Sequence, residues 1–155
     1  MSDKKKVYVD TRQKSIDSDE VIKESYVYEG KAGRVGDTYC IIYDQIEDET
    51  EEIIKNIIKV DSDHKVTRTA KGTGSSGMVF ENGKVTKCNY RTPYGVINMS
   101  FFSKNVQCIK KADEYEIVLE YILSIDNQPT TEVFMKIRKV SSLYFFVKIY
   151  FMGKI

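Results

Sequence analysis

Apolar and polar residues alternate along much of this chain, most clearly near its end. Tyr115, Ile117, Leu119, Tyr121, Leu123 and Ile125 fall on one face of an extended segment. Glu114, Glu116, Glu120, Ser124 and Asp126 fall on the other, with Val118 and Ile122 as exceptions. A period of two sustained this long predicts a strand with one buried side. Asp126-Asn127-Gln128-Pro129 reads as a turn. Val133, Met135 and Ile137 then alternate with Glu132, Lys136 and Arg138, so the two runs predict a hairpin.

A second hairpin is marked by Asn82-Gly83, because both central residues of a type I′ turn need positive φ. A two-residue loop sets Glu81 opposite Lys84 and Phe80 opposite Val85, complementary in charge on one face and apolar on the other. The next strand is predicted over residues 95–103, with Ile97, Met99 and Phe101 on one face, and a shorter one over 106–109. Thr92-Pro93-Tyr94-Gly95 is the connecting turn, with proline presetting φ. Upstream, strands are predicted over residues 6–12, 21–30, 38–44 and 65–71, with turns at 33–36 and 61–63.

Residues 47–59 fit two templates. On a helix, Ile53, Ile54, Ile57 and Ile58 form one stripe, with acids at its N-terminus. On a strand, Ile54, Ile58 and Val60 face one way and Ile53 and Ile57 the other. The β-branched content and the surrounding strands favour a strand over 53–60, preceded by an acidic loop.

The count is roughly ten or eleven short strands joined by short turns, with no long helix to make a parallel crossover. Such a meander curls, and closure removes its exposed edges. The expected fold is a single all-β domain over residues 1–140, an antiparallel up-and-down β-barrel of about 8–11 strands. A β-sandwich is the alternative. Residues 141–155 form an apolar tail, with Leu143-Tyr144-Phe145-Phe146-Val147 and Ile149-Tyr150-Phe151-Met152. It is shorter than the about 20 apolar residues that span a bilayer. An extra strand, a plug across the barrel mouth or a contact segment all fit it, and residues 143–152 are a candidate for self-association.

Charge narrows the partners. Lysine and arginine number 24 and aspartate and glutamate 23, so no net field holds a nucleic acid. Three cysteines without CxxC spacing argue against a disulfide framework or a zinc knuckle. Free thiols and a polar N-terminus without an apolar signal core place the expected location in the cytoplasm. No metal and no cofactor is expected.

Several motifs are decoys. Gly72-Thr73-Gly74-Ser75-Ser76-Gly77 spells G-x-G-x-x-G, but a dinucleotide site needs a helix to open there, and Asn82-Gly83 leaves no room for one. His64, the only histidine, sits beside Asp61, Ser62 and Asp63 in a turn, with no nucleophile motif near it. The acids Glu47, Asp48, Glu49, Glu51 and Glu52 lack calcium-loop spacing and read as a solvated loop. No concentrated set of titratable groups points to an enzyme.

The candidate site is a barrel rim carrying Tyr90, Arg91, Thr92 and Tyr94. An arginine between tyrosines can take a carboxylate or phosphate bidentately while a ring stacks on the ligand. Rings closing the barrel end, with the arginine paired to a loop acid, account for the same residues structurally. The site implies a small amphipathic ligand with an acidic head, held inside the barrel. An assembly protein with a side-chain-filled barrel is the alternative function.

The Asn82-Gly83 hairpin, Tyr90-Arg91-Thr92-Pro93-Tyr94-Gly95, Ile97-Asn98-Met99 and the final hairpin resemble the YwiB-like bacterial proteins of unknown function. The aromatic-Arg/Gln-Thr-Pro-Tyr-Gly core is the most specific piece, and the similarity covers roughly residues 4–139. It implies a calycin-like (lipocalin-like) barrel of eight to ten strands in a bacterial cytoplasmic protein, with no catalytic residues to carry over. It also resolves residues 53–60 as a strand.

Overall fold

The computed structural model describes residues 5–46, 51–71, 77–92, 94–111 and 114–140. Ten strands follow one another: β1 Lys5–Ser15, β2 Val21–Val35, β3 Thr38–Ile46, β4 Ile53–Ser62, β5 Lys65–Lys71, β6 Gly77–Glu81, β7 Val85–Thr92, β8 Gly95–Lys111, β9 Glu114–Ile125 and β10 Gln128–Val140. They form one antiparallel sheet in the order β6-β5-β4-β3-β2-β1-β10-β9-β8-β7. The sheet curls until its end strands, β6 and β7, meet at a seam. The protein is thus an all-β, nearly closed antiparallel barrel. Residues 53–60 lie in β4, so the strand expectation holds against the helix. Among the described residues no helix is long and apolar enough to cross a membrane. The tail 141–155 lies outside the described residues.

Turn chemistry departs from expectation at the two hairpins. Asp126 and Asn127 both take positive φ (50° and 65°), while Ile125 pairs with Gln128. That is the type I′ signature, and Gln128 and Pro129 already belong to β10. At Asn82-Gly83 only Gly83 has positive φ, 76°, which suits position i+2 of a type II turn. Lys84 N–H closes the turn on the Glu81 carbonyl at 3.0 Å. β6 and β7 are not ladder partners, so Phe80 is not paired with Val85. The corner is instead built into β8. Gly83 N–H donates to the Ser103 carbonyl (2.8 Å), Ser103 N–H donates to the Lys84 carbonyl (3.0 Å), and Val106 N–H donates to Asn82 Oδ1 (3.1 Å). The Thr86 hydroxyl reaches across the seam to the Val79 carbonyl. The charge match between Glu81 and Lys84 survives as an ion pair at 2.6 Å.

The two strands expected over 95–103 and 106–109 are one strand, β8, with a bulge between Ser103 and Asn105. The extra residue changes the phase. Met99, Phe101 and Ser103 face inward before it, and Val106 and Cys108 after it. β2 likewise runs on through residues 33–35 of the expected turn and ends at Val35, before Gly36, where φ is 64°.

Inward faces of all the strands build one core. Val7, Ile41, Ile58, Val66, Ile117 and Ile137 are fully buried in it. Phe80 packs its ring against Phe101 (5.4 Å) and Tyr121 (4.9 Å). These side chains fill one end of the barrel, here called the base. All three cysteines are free thiols. Cys108 is pushed up to about 11, chiefly by burial and then by Asp63 and Asp61.

Candidate functional site

Along several strands the inward face changes character toward the opposite end, the mouth. On β1 it runs from buried Val7 and Val9 to Thr11 and exposed Gln13. On β3 it runs from Tyr39, Ile41 and Tyr43 to Gln45. On β4 and β5 the apolar phase is broken by Asn56, between Ile54 and Ile58, and by Arg68, between Val66 and Ala70. These polar residues converge. Arg68 Nη2 donates to Asn56 Oδ1 at 3.1 Å, and Asn56 Nδ2 donates to Gln45 Oε1 and to the Ile54 carbonyl, each at 3.4 Å. Asn56 is fully buried. Arg68 Nε is also buried and has no hydrogen-bond partner among the described residues.

Above this cluster lies a cavity of about 800 Å³. Its wall includes a column of tyrosines. Tyr26 stacks on Tyr28 (5.9 Å between centroids), and Tyr28 on Tyr43 (4.9 Å). Burial pushes the Tyr28 and Tyr43 phenols up, and the Arg68 guanidinium pulls both back. Tyr121, raised by burial, feels the same guanidinium. Acids line the cavity too. Glu24 accepts a hydrogen bond from the Tyr26 hydroxyl, Glu29 pairs with Lys6 at 3.5 Å, and Asp44 is exposed.

The cavity opens where the sheet forks. β2 pairs with β1 over residues 21–30 but with β3 only over 30–35. The fork is at Gly30, where an added Cβ would stand 2.3 Å from the Ile42 carbonyl oxygen and 2.9 Å from Val7 Cγ2. No side chain fits there. From Gly30 to the mouth, β2 has a partner on one side only among the described residues.

The sequence-derived rim takes its place in β7 and the following turn. Tyr90, Arg91 and Thr92 pair with Ile97, Val96 and Gly95 in the β7–β8 ladder, and Tyr94 is 99% exposed. The side chains of Tyr90, Arg91 and Thr92 lie outside the described residues. In an antiparallel meander alternate connections share an end, so this turn stands at the end where β1, β3 and β5 also finish. Arg68 was missed as a candidate. Its signal was an arginine in the apolar phase of β5, where Val66 and Ala70 flank it at steps of two.

The decoys resolve in the same way. Gly77 opens strand β6, not a helix, and residues 72–76 lie outside the described residues. His64 is exposed in the β4–β5 turn. Glu51 and Glu52 are exposed, and 47–50 lie outside the described residues. Among the described residues no group of three His, Cys, Asp or Glu side chains is placed to hold a metal ion.

Comparison with known proteins agrees with the fold. No curated protein matches the chain. A solved structure, described as the crystal structure of ywiB protein from Bacillus subtilis, superposes with a TM-score of 0.68 at 14% identity. The match covers 89% of this chain and 94% of that one. The YwiB-like resemblance read from the motifs is therefore borne out. The chain belongs to the family described as Domain of unknown function (DUF1934), whose model matches residues 7–137.

Proposed function

We propose that this protein is a non-enzymatic binding barrel of the bacterial cytoplasm that takes an amphipathic small molecule, its acidic head on Arg68 and its apolar part along Tyr26, Tyr28 and Tyr43. One observation carries the reading: the Arg68 guanidinium lines an open cavity walled by the stacked rings of Tyr26, Tyr28 and Tyr43. A ligand carboxylate or phosphate entering the cavity would meet this guanidinium with a charge-assisted bond. The cavity is within the size range of small-ligand sites. The rim residues Tyr90, Arg91, Thr92 and Tyr94 would form part of the entrance. The alternative, an assembly protein with a filled barrel, is disfavoured by the size of the cavity.

Native mass spectrometry of protein purified from its host, followed by titration with dodecanoate, tests the proposal. The expected result is a bound small molecule or saturable dodecanoate binding, weakened at least tenfold by Arg68→Gln. A bare protein that retains neither dodecanoate nor any peptide overturns it.

A further inference from the structure

The backbone edge beside the cavity says more about the ligand than the cavity alone. Ser15 N–H donates to the Glu20 carbonyl, and Lys14 pairs with Val21, so the hydrogen-bonded pairs of the β1–β2 ladder fall on even residues of β2. The odd residues Lys23, Ser25, Val27 and Glu29 therefore aim their N–H and C=O groups away from β1, toward the side where no strand is paired among the described residues. Beyond the fork, Lys31 and Gly33 aim the same way and meet Ile42 and Cys40 of β3. The cavity is lined by Tyr26, Val27, Tyr28 and Glu29 together, both parities of the strand. It thus runs along the hydrogen-bonding edge of β2 as well as against its inward face. Tyr26 and Val27 are each 40% exposed on this open edge. The residues of β3 beyond the fork, Asp44, Gln45 and Ile46, line the opposite side of the gap, unpaired toward β2.

An exposed strand edge is a template for an added strand. A fatty chain leaves those backbone groups unused, whereas an extended peptide uses them. Charge sets its polarity. Arg68 is at the floor and Glu24 nearer the mouth, with Glu29 and Asp44 also on the wall. A plain anion meets more carboxylates than guanidiniums here, but a peptide with a carboxyl end and an upstream cation matches both.

We propose that the ligand is an extended peptide that enters carboxyl end first, adds to residues 23–29 of β2 as a parallel strand, and places its terminal carboxylate on Arg68. A lysine or arginine about four residues upstream, some 13 Å along an extended chain, then faces Glu24. The proposal rests on the binding function above and narrows its ligand class.

The test incubates the full chain with a pool of random free-acid nonapeptides, the same pool amidated at the C-terminus, and dodecanoate, each separately. Retained species are read by mass spectrometry, and hydrogen exchange is followed at the amides of Lys23, Ser25 and Val27. The expected result is retention of free-acid peptides enriched in Lys or Arg, at least tenfold weaker retention of amidated ones, and slowed exchange at those three amides with peptide but not with dodecanoate. Arg68→Gln should abolish the preference for the free acid, and Glu24→Gln the enrichment in basic residues. Dodecanoate binding without peptide retention overturns this inference and leaves the parent function standing. Loss of both overturns both. Equal retention of acid and amide pools, or amides protected without ligand in a concentration-dependent way by a second copy pairing on the same edge, also overturns it.

Discussion

The two ends of the barrel are built from the same strands and follow opposite rules. At the base, inward positions carry Val7, Ile41, Ile58, Val66 and Ile117, all fully buried. At the mouth, the same faces carry Gln13, Glu24, Gln45 and Arg68 around open space. Burial of apolar area stabilises the base, about 25 cal/mol per Å². The mouth gives up that contribution and keeps a guanidinium and an amide away from bulk water instead. Such a division is expected where a scaffold must hold a site whose own residues add little stability.

Substitutions should separate the ends by size of effect. Phe80→Ala, at the centre of the Phe80–Phe101–Tyr121 cluster, should cost about 3–5 kcal/mol in urea unfolding. A cost under about 1 kcal/mol would mean that the base is not the packed half. Gly30→Ala acts on the boundary. The new methyl must displace the Ile42 carbonyl and Val7. A loss of about 2–3 kcal/mol is expected, with the midpoint lowered and the urea slope unchanged.

How much of this was legible follows from which interactions are local. Alternation placed β9 and its inward face, Tyr115, Ile117, Leu119, Tyr121 and Leu123, because a half-buried strand shows its period in sequence. It also carried the answer at Arg68 and Asn56, which hold inward positions in β5 and β4. A single polar residue in an apolar phase reads locally as noise, and only the barrel brings Gln45, Asn56 and Arg68 together. The Asn82-Gly83 turn misled for the opposite reason. Its dipeptide fits a hairpin, but the partner that decides the geometry, Val106 N–H, is 24 residues away, just past the bulge in β8. The fork at Gly30 had no local signal, since glycine there answers to the Ile42 backbone and not to a turn.

That long-range partner predicts the next effect. Asn82→Ala removes the acceptor for Val106 N–H and leaves a half-buried donor unmade, which should cost about 1–2 kcal/mol. Asn82→Asp, which keeps the acceptor, should recover most of it. Arg68→Met is the counterpart at the mouth. It relieves a buried unpaired Nε but takes one partner from Asn56, so the terms oppose and stability should change by less than about 1 kcal/mol. If the ligand site is at Arg68, the same substitution should abolish binding, and that split between stability and binding is what a site on a separate scaffold requires. A loss of 3 kcal/mol or more would make Arg68 a structural residue.

The smallest effect concerns the outside of the base. Glu116, on β9, reaches Lys111 of β8 at 2.9 Å and Lys136 of β10 at 3.4 Å, so one carboxylate ties three adjacent strands. Its pKa is lowered, first by the hydrogen bond from Lys111, with Lys136 adding to it against a desolvation that raises it. A carboxylate lowered on folding stabilises the fold above its unfolded value, near 4.5, and loses that contribution as pH falls through its folded value. Both lysines are partly exposed, which limits the gain to about 0.5 kcal/mol. The stability difference between the wild type and Glu116→Gln should therefore stay constant from pH 7 to about pH 5 and shrink to nothing below that. The gap between wild type and Phe80→Ala should persist across the same range, because no proton is bound or released by that packing. A gap between wild type and Glu116→Gln that widened toward acid would reverse the sign and remove Glu116 as the tie.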